Sequence, residues 1–302
     1  MDKMGISVII PTYNRAASIK TAIDSVLNQT FTNFELIIVD DGSSDDTESI
    51  INSITSPKIT FLKTPENKGA CAARNLGIRT AKYELITFLD SDDSWLEDYL
   101  LKHYEYYLKF TADPGNNFGL QFCSYYFRDG KNAIVMPQKK FNLDNEKSTM
   151  ESITDGNFIS TQTLLTKKSV LQSVGGFDEK LGAFQDWDLA MRIAKNHRVF
   201  HVPVPLVNVE FSADSITLNH PKRFLALNYL VEKYTASNLL SGKNLNKIQV
   251  LTLFYNISYK IKQRTTFNLF SVKANNPMFY KSYYALLKYF LFKLSLKTNN
   301  NI

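Results

Sequence analysis

Residues 83–95 read YELITFLDSDDSW, and the fold turns on how this stretch is taken. An apolar run of the kind found in buried strands ends abruptly in Asp90, Asp92 and Asp93, three carboxylates within four residues. Like charges that close are costly beside a core unless a cation sits among them. Hard divalent ions such as Mg²⁺ or Mn²⁺ take oxygen ligands, and Mg²⁺ is commonly held by one or two carboxylates plus substrate phosphates. An EF-hand is excluded, because glycine is missing from the sixth position of the run and no closing glutamate follows. The cluster therefore fits a metal–diphosphate site better than a calcium cage.

Upstream, the same grammar repeats. ISVIIPTYN is a short β-branched run closed by Pro11, as expected of a strand covered on both faces. A helix follows with Ser18 as a possible N-cap and Ile19, Ala22, Ile23, Val26 and Leu27 on one face. FELIIVDDGSSDDT gives a second buried strand, Glu35 to Val39, running into an acidic turn at Gly42, with Ser44, Asp45 or Asp46 available to cap the next helix. KITFLKT and NKGACAARNLGIRTAK supply a third strand and helix, and YELITFLDSDD the fourth strand. Alternation at this spacing predicts βαβ crossovers and an α/β fold with a mainly parallel sheet, whose ligands bind beyond the carboxyl ends of the strands. Tyr13, Asp40, Asp41, Asp90 and Asp92 all fall at that edge.

Downstream, LEDYLLKHYEYYLKF reads as a helix, FGLQFCSYYF and NAIVMP as strands around a turn at Asp129-Gly130, and the segment after Gly156 as a strand, a helix stopped by Gly175-Gly176, and a helix starting near Asp186. From about residue 219 the composition turns to Lys, Tyr, Phe, Leu and Asn, which predicts several helices. The expected division is a catalytic domain over 1–218 and a basic, aromatic-rich helical region over 219–302.

The net charge of +6 conceals a split: from Leu218 to Ile302, 13 basic residues face one acid, Glu232, a net of +12 that leaves −6 on the remainder. Such a chain pairs an acidic working domain with a basic segment suited to an anionic surface. Two cysteines, Cys71 and Cys123, give neither a disulfide framework nor a zinc spacing, and His103, His197, His201 and His220 show no metal pattern. The amino-terminal residues carry no signal-peptide pattern and no apolar run reaches the roughly 18 residues of a membrane span, so a cytoplasmic location is expected.

Five stretches in order, SVIIPTYNR, VDDGSSDDT, NKGACAARNLGI, FLDSDDSW and GGFDEKLGAFQDWDL, resemble the inverting family 2 glycosyltransferases of the GT-A fold, of the type that builds bacterial surface polysaccharides. The resemblance runs from about Ile6 to Glu210. It implies a UDP-sugar donor, with Tyr13 and Asp40 holding the nucleotide base, Arg74 near the nucleotide and its phosphates, Asp90 facing the ribose, and Asp92, last of the Asp90-Ser91-Asp92 DxD motif, binding Mn²⁺ or Mg²⁺ under the diphosphate. It makes Asp186 the catalytic base toward a glycan or lipid-linked acceptor. Asp188 is the alternative base, and an N-cap role for Asp186 the structural one.

The chain departs from the pattern at Gln185, where relatives carry Glu, and at Glu210 and Phe211, where they carry a basic or histidine-containing strand. Trp187 can pack under the base or stack on an acceptor sugar. In the tail, FYKSYYALLKYFLFKLSLK suits an interfacial helix on an anionic membrane, which would place the protein on the inner face of the cell membrane; helical core packing is the plainer reading. The competing functions are a Rossmann dehydrogenase, disfavoured because PTYNRAAS stands where a G-x-G-x-x-G would, and a non-enzymatic membrane- or nucleic-acid-binding module. No nucleic-acid motif is visible, and no nucleic-acid partner is expected. The sequence leaves the oligomeric state open.

Overall fold

The computed structural model describes residues 4–262, apart from 114, 130–131, 139–140, 211–219 and 238. Its amino-terminal half is the alternating unit expected: β1 (Ile6–Thr12), α1 (Ile19–Leu27), β2 (Phe34–Asp40), α2 (Thr47–Asn52), β3 (Ile59–Lys63), α3 (Ala70–Thr80) and β4 (Leu85–Phe88). β1 pairs in parallel with β2 and β4, and β2 with β3. Every residue of β1, β2 and β4 is buried, which is why these strands read as unbroken apolar runs.

The remaining strands convert the sheet to a mixed one. β5 (Ser94–Trp95), α4 (Tyr99–Thr111), β6 (Phe118–Asp129), β7 (Asn132–Met136), α5 (Glu146–Thr154), β8 (Leu164–Lys167), α6 (Lys168–Ser173), α7 (Gln185–Ala194) and β9 (Arg198–Glu210) follow in order. The sheet runs β3-β2-β1-β4-β8-β6-β9-β5, with β7 added to β6 as a hairpin. β8 is antiparallel to both β4 and β6, whereas β6 and β9 are parallel. The parallel part is thus one half of the sheet, and β8 is the reversal point.

Close packing explains two of the glycines. A Cβ on Gly77 would sit 2.5 Å from Ile9 Cγ2, so α3 lies on β1 at a distance only glycine permits. Gly42 has φ +76°, and a Cβ there would meet the Glu66 backbone at 2.9 Å; both facts fix the turn after β2. Trp95 anchors the acidic stretch: its indole stacks on Tyr99 at 3.7 Å and its Nε1 donates to the Gln162 carbonyl at 3.1 Å. Buried aromatic anchors of this kind dominate core energetics and hold the preceding turn in place.

The caps differ from expectation. Ser18 and Asp46 hold the N-cap positions of α1 and α2, but neither side chain makes a capping hydrogen bond. Cys71 and Cys123 are buried and free, and burial pushes the Cys71 thiol up to about 12. His103 is fully buried against Gln121, which lowers its pKa to about 3, and His201 bonds Ser124. These two histidines are packing groups.

The chain divides into two compact units, Met1–Ala226 and Leu227–Ile302. α8 (His220–Ser237) begins in the first, and α9 (Gly242–Lys262) lies in the second. Within the second unit Leu227, Leu230, Tyr234, Ile248 and Leu253 are buried, and Asn228 and Asn256 exchange hydrogen bonds of 3.1 and 3.4 Å. No helix among the described residues is long and apolar enough to cross a membrane. The proposed interfacial segment (279–297) and Phe211 lie outside the described residues.

Candidate active site

The carboxyl ends of β1 and β4, the turn after β2, the start of α3 and the start of α7 converge on one cavity of about 740 Å³, within the range of roughly 300–1,000 Å³ usual for small-molecule sites. Tyr13, Arg74, Asp90, Asp92 and Asp186 all line it; Asp40 does not.

The first motif is shaped by the second. Asn14 has φ +50°, a conformation uncommon outside glycine, and is held there from both sides: its N–H donates to Ser43 Oγ at 2.9 Å and its Oδ1 accepts from the Ser44 N–H at 2.9 Å. The Arg15 N–H donates to Thr47 Oγ1 and the Ala16 N–H to Asp45 Oδ2. The SSDDT segment, expected to cap a helix, thus braces the loop carrying Tyr13, whose ring is 44% exposed at the cavity.

Asp40 and Asp41 divide their tasks in a way the sequence did not reveal. Asp40 is fully buried; its Oδ1 accepts from the Ser43 N–H at 3.0 Å, and its Oδ2, without a hydrogen bond, lies 3.9 Å from Lys63 Nζ. It holds the turn from inside. Asp41 instead reaches the cavity wall, where it accepts from the Lys68 N–H at 2.9 Å and the Gly69 N–H at 2.6 Å, pinning the loop that starts α3. Asp41, not Asp40, lies on the cavity wall, because the chain at the end of β2 turns the first carboxylate inward, where its Oδ2 is left without a hydrogen bond.

α3 then delivers Arg74. Its Nη2 bonds Asp90 Oδ1 at 2.6 Å, while Nε and Nη1 are buried at the cavity without any hydrogen-bond partner. Buried guanidinium donors left open in this way are costly unless an anion meets them. Of the three clustered acids, Asp93 is buried, bonded by Gln162 and the Glu210 backbone, and its carboxyl is pushed well up by burial and then by Asp90 and Asp92. Asp92 is the open one, 38% exposed and 3.5 Å from Arg15 Nη2, and its pKa is raised by burial and by Asp90.

Among the described residues no three or more metal-ligating side chains cluster. The acidic turn offers a hard cation Asp92, the most exposed of its cavity-lining carboxylates at 38% against 30% for Asp90, which is paired with Arg74. That set fits an ion whose remaining ligands come from a diphosphate and water, the usual arrangement for Mg²⁺.

Across the cavity, α7 opens with Phe184 at φ +60°, the second of the two non-glycine residues with positive φ among those described. Both line the cavity, and backbone strain of this kind concentrates where a site must be held in one shape. Asp186 follows in the first helical turn, so it is not the N-cap. Its Oδ1 accepts from the Trp187 N–H at 2.8 Å and from Asn157 Nδ2 at 2.9 Å. Burial raises its pKa to about 6, with Asp90 adding to the rise and Arg74 opposing it.

Asp188 is fully buried in an ion pair with Arg192 at 2.7 Å, whose Nη1 also donates to the carbonyls of Val174 and Gly176. Trp187 is 1% exposed, with its Nε1 on the Ile153 carbonyl, and so packs beneath Asp186 with no face left for a sugar. Gln185 is tied to the Leu181 carbonyl. Asn157, Ser160, Gln162, Lys222 and Arg223 also line the cavity and were not anticipated. Each comes from far along the chain and carries no local pattern.

The family model of glycosyl transferase family 2 matches residues 7–161. An uncharacterized glycosyltransferase of Rickettsia felis is 31% identical over 295 residues, covering 87% of this chain and 45% of that one. The UDP-Glc:alpha-D-GlcNAc-diphosphoundecaprenol beta-1,3-glucosyltransferase WfgD of Escherichia coli is 35% identical over 142 residues, 46% of this chain and 54% of that one. Among solved structures, S. aureus TarS 1-349 in complex with UDP-GlcNAc superposes with a TM-score of 0.67 at 19% identity, covering 87% of this chain and 76% of that one, a likeness of fold. The chain spans only 33 to 45% of the length of three of its Rickettsia relatives.

Proposed function

The chain belongs to glycosyl transferase family 2, and from that premise we propose that it is an inverting, divalent-metal-dependent transferase moving a sugar from a UDP-sugar to a hydroxyl of a glycan or lipid-linked acceptor. The observation that carries this reading is the single cavity in which open guanidinium donors and an accessible carboxylate face a second carboxyl whose pKa is about 6.

Tyr13 offers an aromatic face to the base, and a lone pair of Asp41 can accept from the uracil N3–H. Arg74 meets the diphosphate with Nε and Nη1, and its bond to Asp90 fixes the fork. A divalent ion held by Asp92 and the diphosphate would neutralise charge on the leaving group as a Lewis acid. Asp186 accepts the acceptor's hydroxyl proton while that oxygen attacks the anomeric carbon from the side opposite the diphosphate. The new bond is from anomeric carbon to acceptor oxygen. The bond that breaks is to the β-phosphate oxygen, which leaves with the electron pair, so the configuration inverts. Asn157 and the Trp187 N–H aim the Asp186 carboxylate, and the raised pKa brings it close to operating pH, as a general base requires. The bracing of Asn14 and Phe184 supplies the preorganisation that such chemistry needs.

The test is metal-dependent UDP release from a panel of UDP-sugars. Release that requires Mn²⁺ or Mg²⁺ and vanishes with EDTA is expected. Turnover undiminished by chelation would remove the metal from the account. The names of the Escherichia coli relative and of the TarS complex favour UDP over other nucleotides.

A further inference from the structure

Strand β6 becomes irregular where it reaches the cavity. Residues 120–122 pair with β8 and residues 125–129 with β7, which leaves Cys123 and Ser124 between the two partners on that edge. On the other edge the register with β9 shifts immediately before and immediately after Ser124. Irregularities of this kind beside a site re-aim a side chain, and the residue that follows this one is Tyr125, which lines the cavity.

Tyr125 is fixed at both ends. Its ring packs, partly buried, against the core, and its hydroxyl hydrogen-bonds Ser160, another residue of the cavity wall. Burial, and after it the charges of Asp186 and Asp93, raise its pKa above the usual phenol value, with the Ser160 bond opposing the rise. The phenol therefore keeps its proton at neutral pH and lies within electrostatic reach of both carboxyls, one in the acidic turn and one at the start of α7. Inverting displacement puts the acceptor oxygen and the diphosphate on opposite sides of a single sugar. With the diphosphate at the acidic turn and the base at Asp186, that sugar lies between the two acidic walls, and Tyr125 stands beside it.

Resting on the transferase reading, we propose that Tyr125 is a specificity-determining residue whose phenol O–H donates a hydrogen bond to one hydroxyl of the transferred sugar. A site built to pair with a substrate hydroxyl rejects an analogue that lacks it, because the site's own polar group is then left unmet. A donor held rigidly at both ends meets a hydroxyl in one direction only, so the same residue selects for the position of that hydroxyl as well as its presence. The role is separate from those of Arg74 and Asp92, which act on the diphosphate, and of Asp186, which acts on the acceptor.

The experiment measures calorimetric binding of UDP, UDP-glucose, UDP-galactose and UDP-N-acetylglucosamine to the full chain with Mg²⁺ and no acceptor. The variant is Tyr125→Phe, which keeps the ring and removes only the hydroxyl. It should bind the UDP-sugar that the wild type prefers about fivefold more weakly, the scale of one neutral hydrogen bond, while its UDP affinity stays within about twofold and so reports an intact fold. A double-mutant cycle with deoxy analogues of that sugar should then find one hydroxyl whose removal costs the wild type about fivefold and the variant nothing further. Unchanged affinity for the sugar, losses that add at every hydroxyl, or a UDP affinity that falls in step would overturn the inference; the last outcome would assign Tyr125 to the nucleotide or to the fold. A wild type that binds none of these ligands would sink the transferase reading and this inference with it, so the two failures are distinguishable.

Discussion

At the scale of single residues, the account separates groups that do chemistry from neighbours that hold them. Asp186→Asn keeps an oxygen for the Trp187 N–H and for Asn157 but cannot take a proton, so turnover should fall by about 10²–10⁴ with UDP affinity retained, as single-turnover kinetics would show. The wild-type carboxyl binds its proton more tightly in the folded chain, at about 6 against 3.8. Its ionisation therefore costs stability as pH rises through that window. Thermal melting at pH 7 should find the Asn variant at least as stable as the wild type. The same group predicts that kcat/KM declines tenfold per pH unit below about 6 and that this limb is lost in the variant. Asp40 and Asp41 offer a second contrast. Asp41→Asn should weaken UDP binding, whereas Asp40→Ala leaves the buried Ser43 N–H unpaired and should cost about 1–3 kcal/mol in chemical denaturation. The reverse pattern would return the base contact to Asp40. Nothing in VDDG distinguishes two adjacent aspartates, since the choice is made by the Gly42 turn and by Lys63 arriving on β3.

At the scale of elements, the βα units were legible because their signals are local. β1, β2 and β4 are buried on both faces, which a run of β-branched residues announces, and the buried face of α1 is the one its spacing gives. β9 was harder to see: Pro203 and Pro205 interrupt its pattern, and its register with β6 shifts on either side of Ser124. The contact between α3 and β1 makes a prediction of its own. Gly77→Ala puts a Cβ 2.5 Å from Ile9 Cγ2, and overpacking of that kind usually costs about 1–3 kcal/mol. Because α3 also carries Arg74, calorimetry should record weaker UDP binding together with a lower melting temperature. A drop in stability with unchanged affinity would mean that Arg74 is positioned independently of the helix.

At the scale of the whole molecule, the site is assembled from segments that the sequence keeps far apart. The half of the cavity from Tyr13 to Asp92 lies within contiguous βα units and carries its own motifs. The half around Asp186 depends on Asn157, on α7 and on the start of α8, and only the fold brings these together. Asp92→Ala should abolish metal-supported turnover while leaving the circular-dichroism spectrum and melting temperature unchanged, since its half-exposed carboxylate reaches Arg15 at a loose 3.5 Å and is opposed by Asp90. The most direct test of the central claim is a crystal structure of the chain with UDP and Mn²⁺, read at the manganese anomalous edge. The account predicts one anomalous peak bridging Asp92 and the diphosphate, with uracil against Tyr13 and Asp41; a peak elsewhere, or nucleotide seated without contact to Asp92 and Arg74, would contradict it.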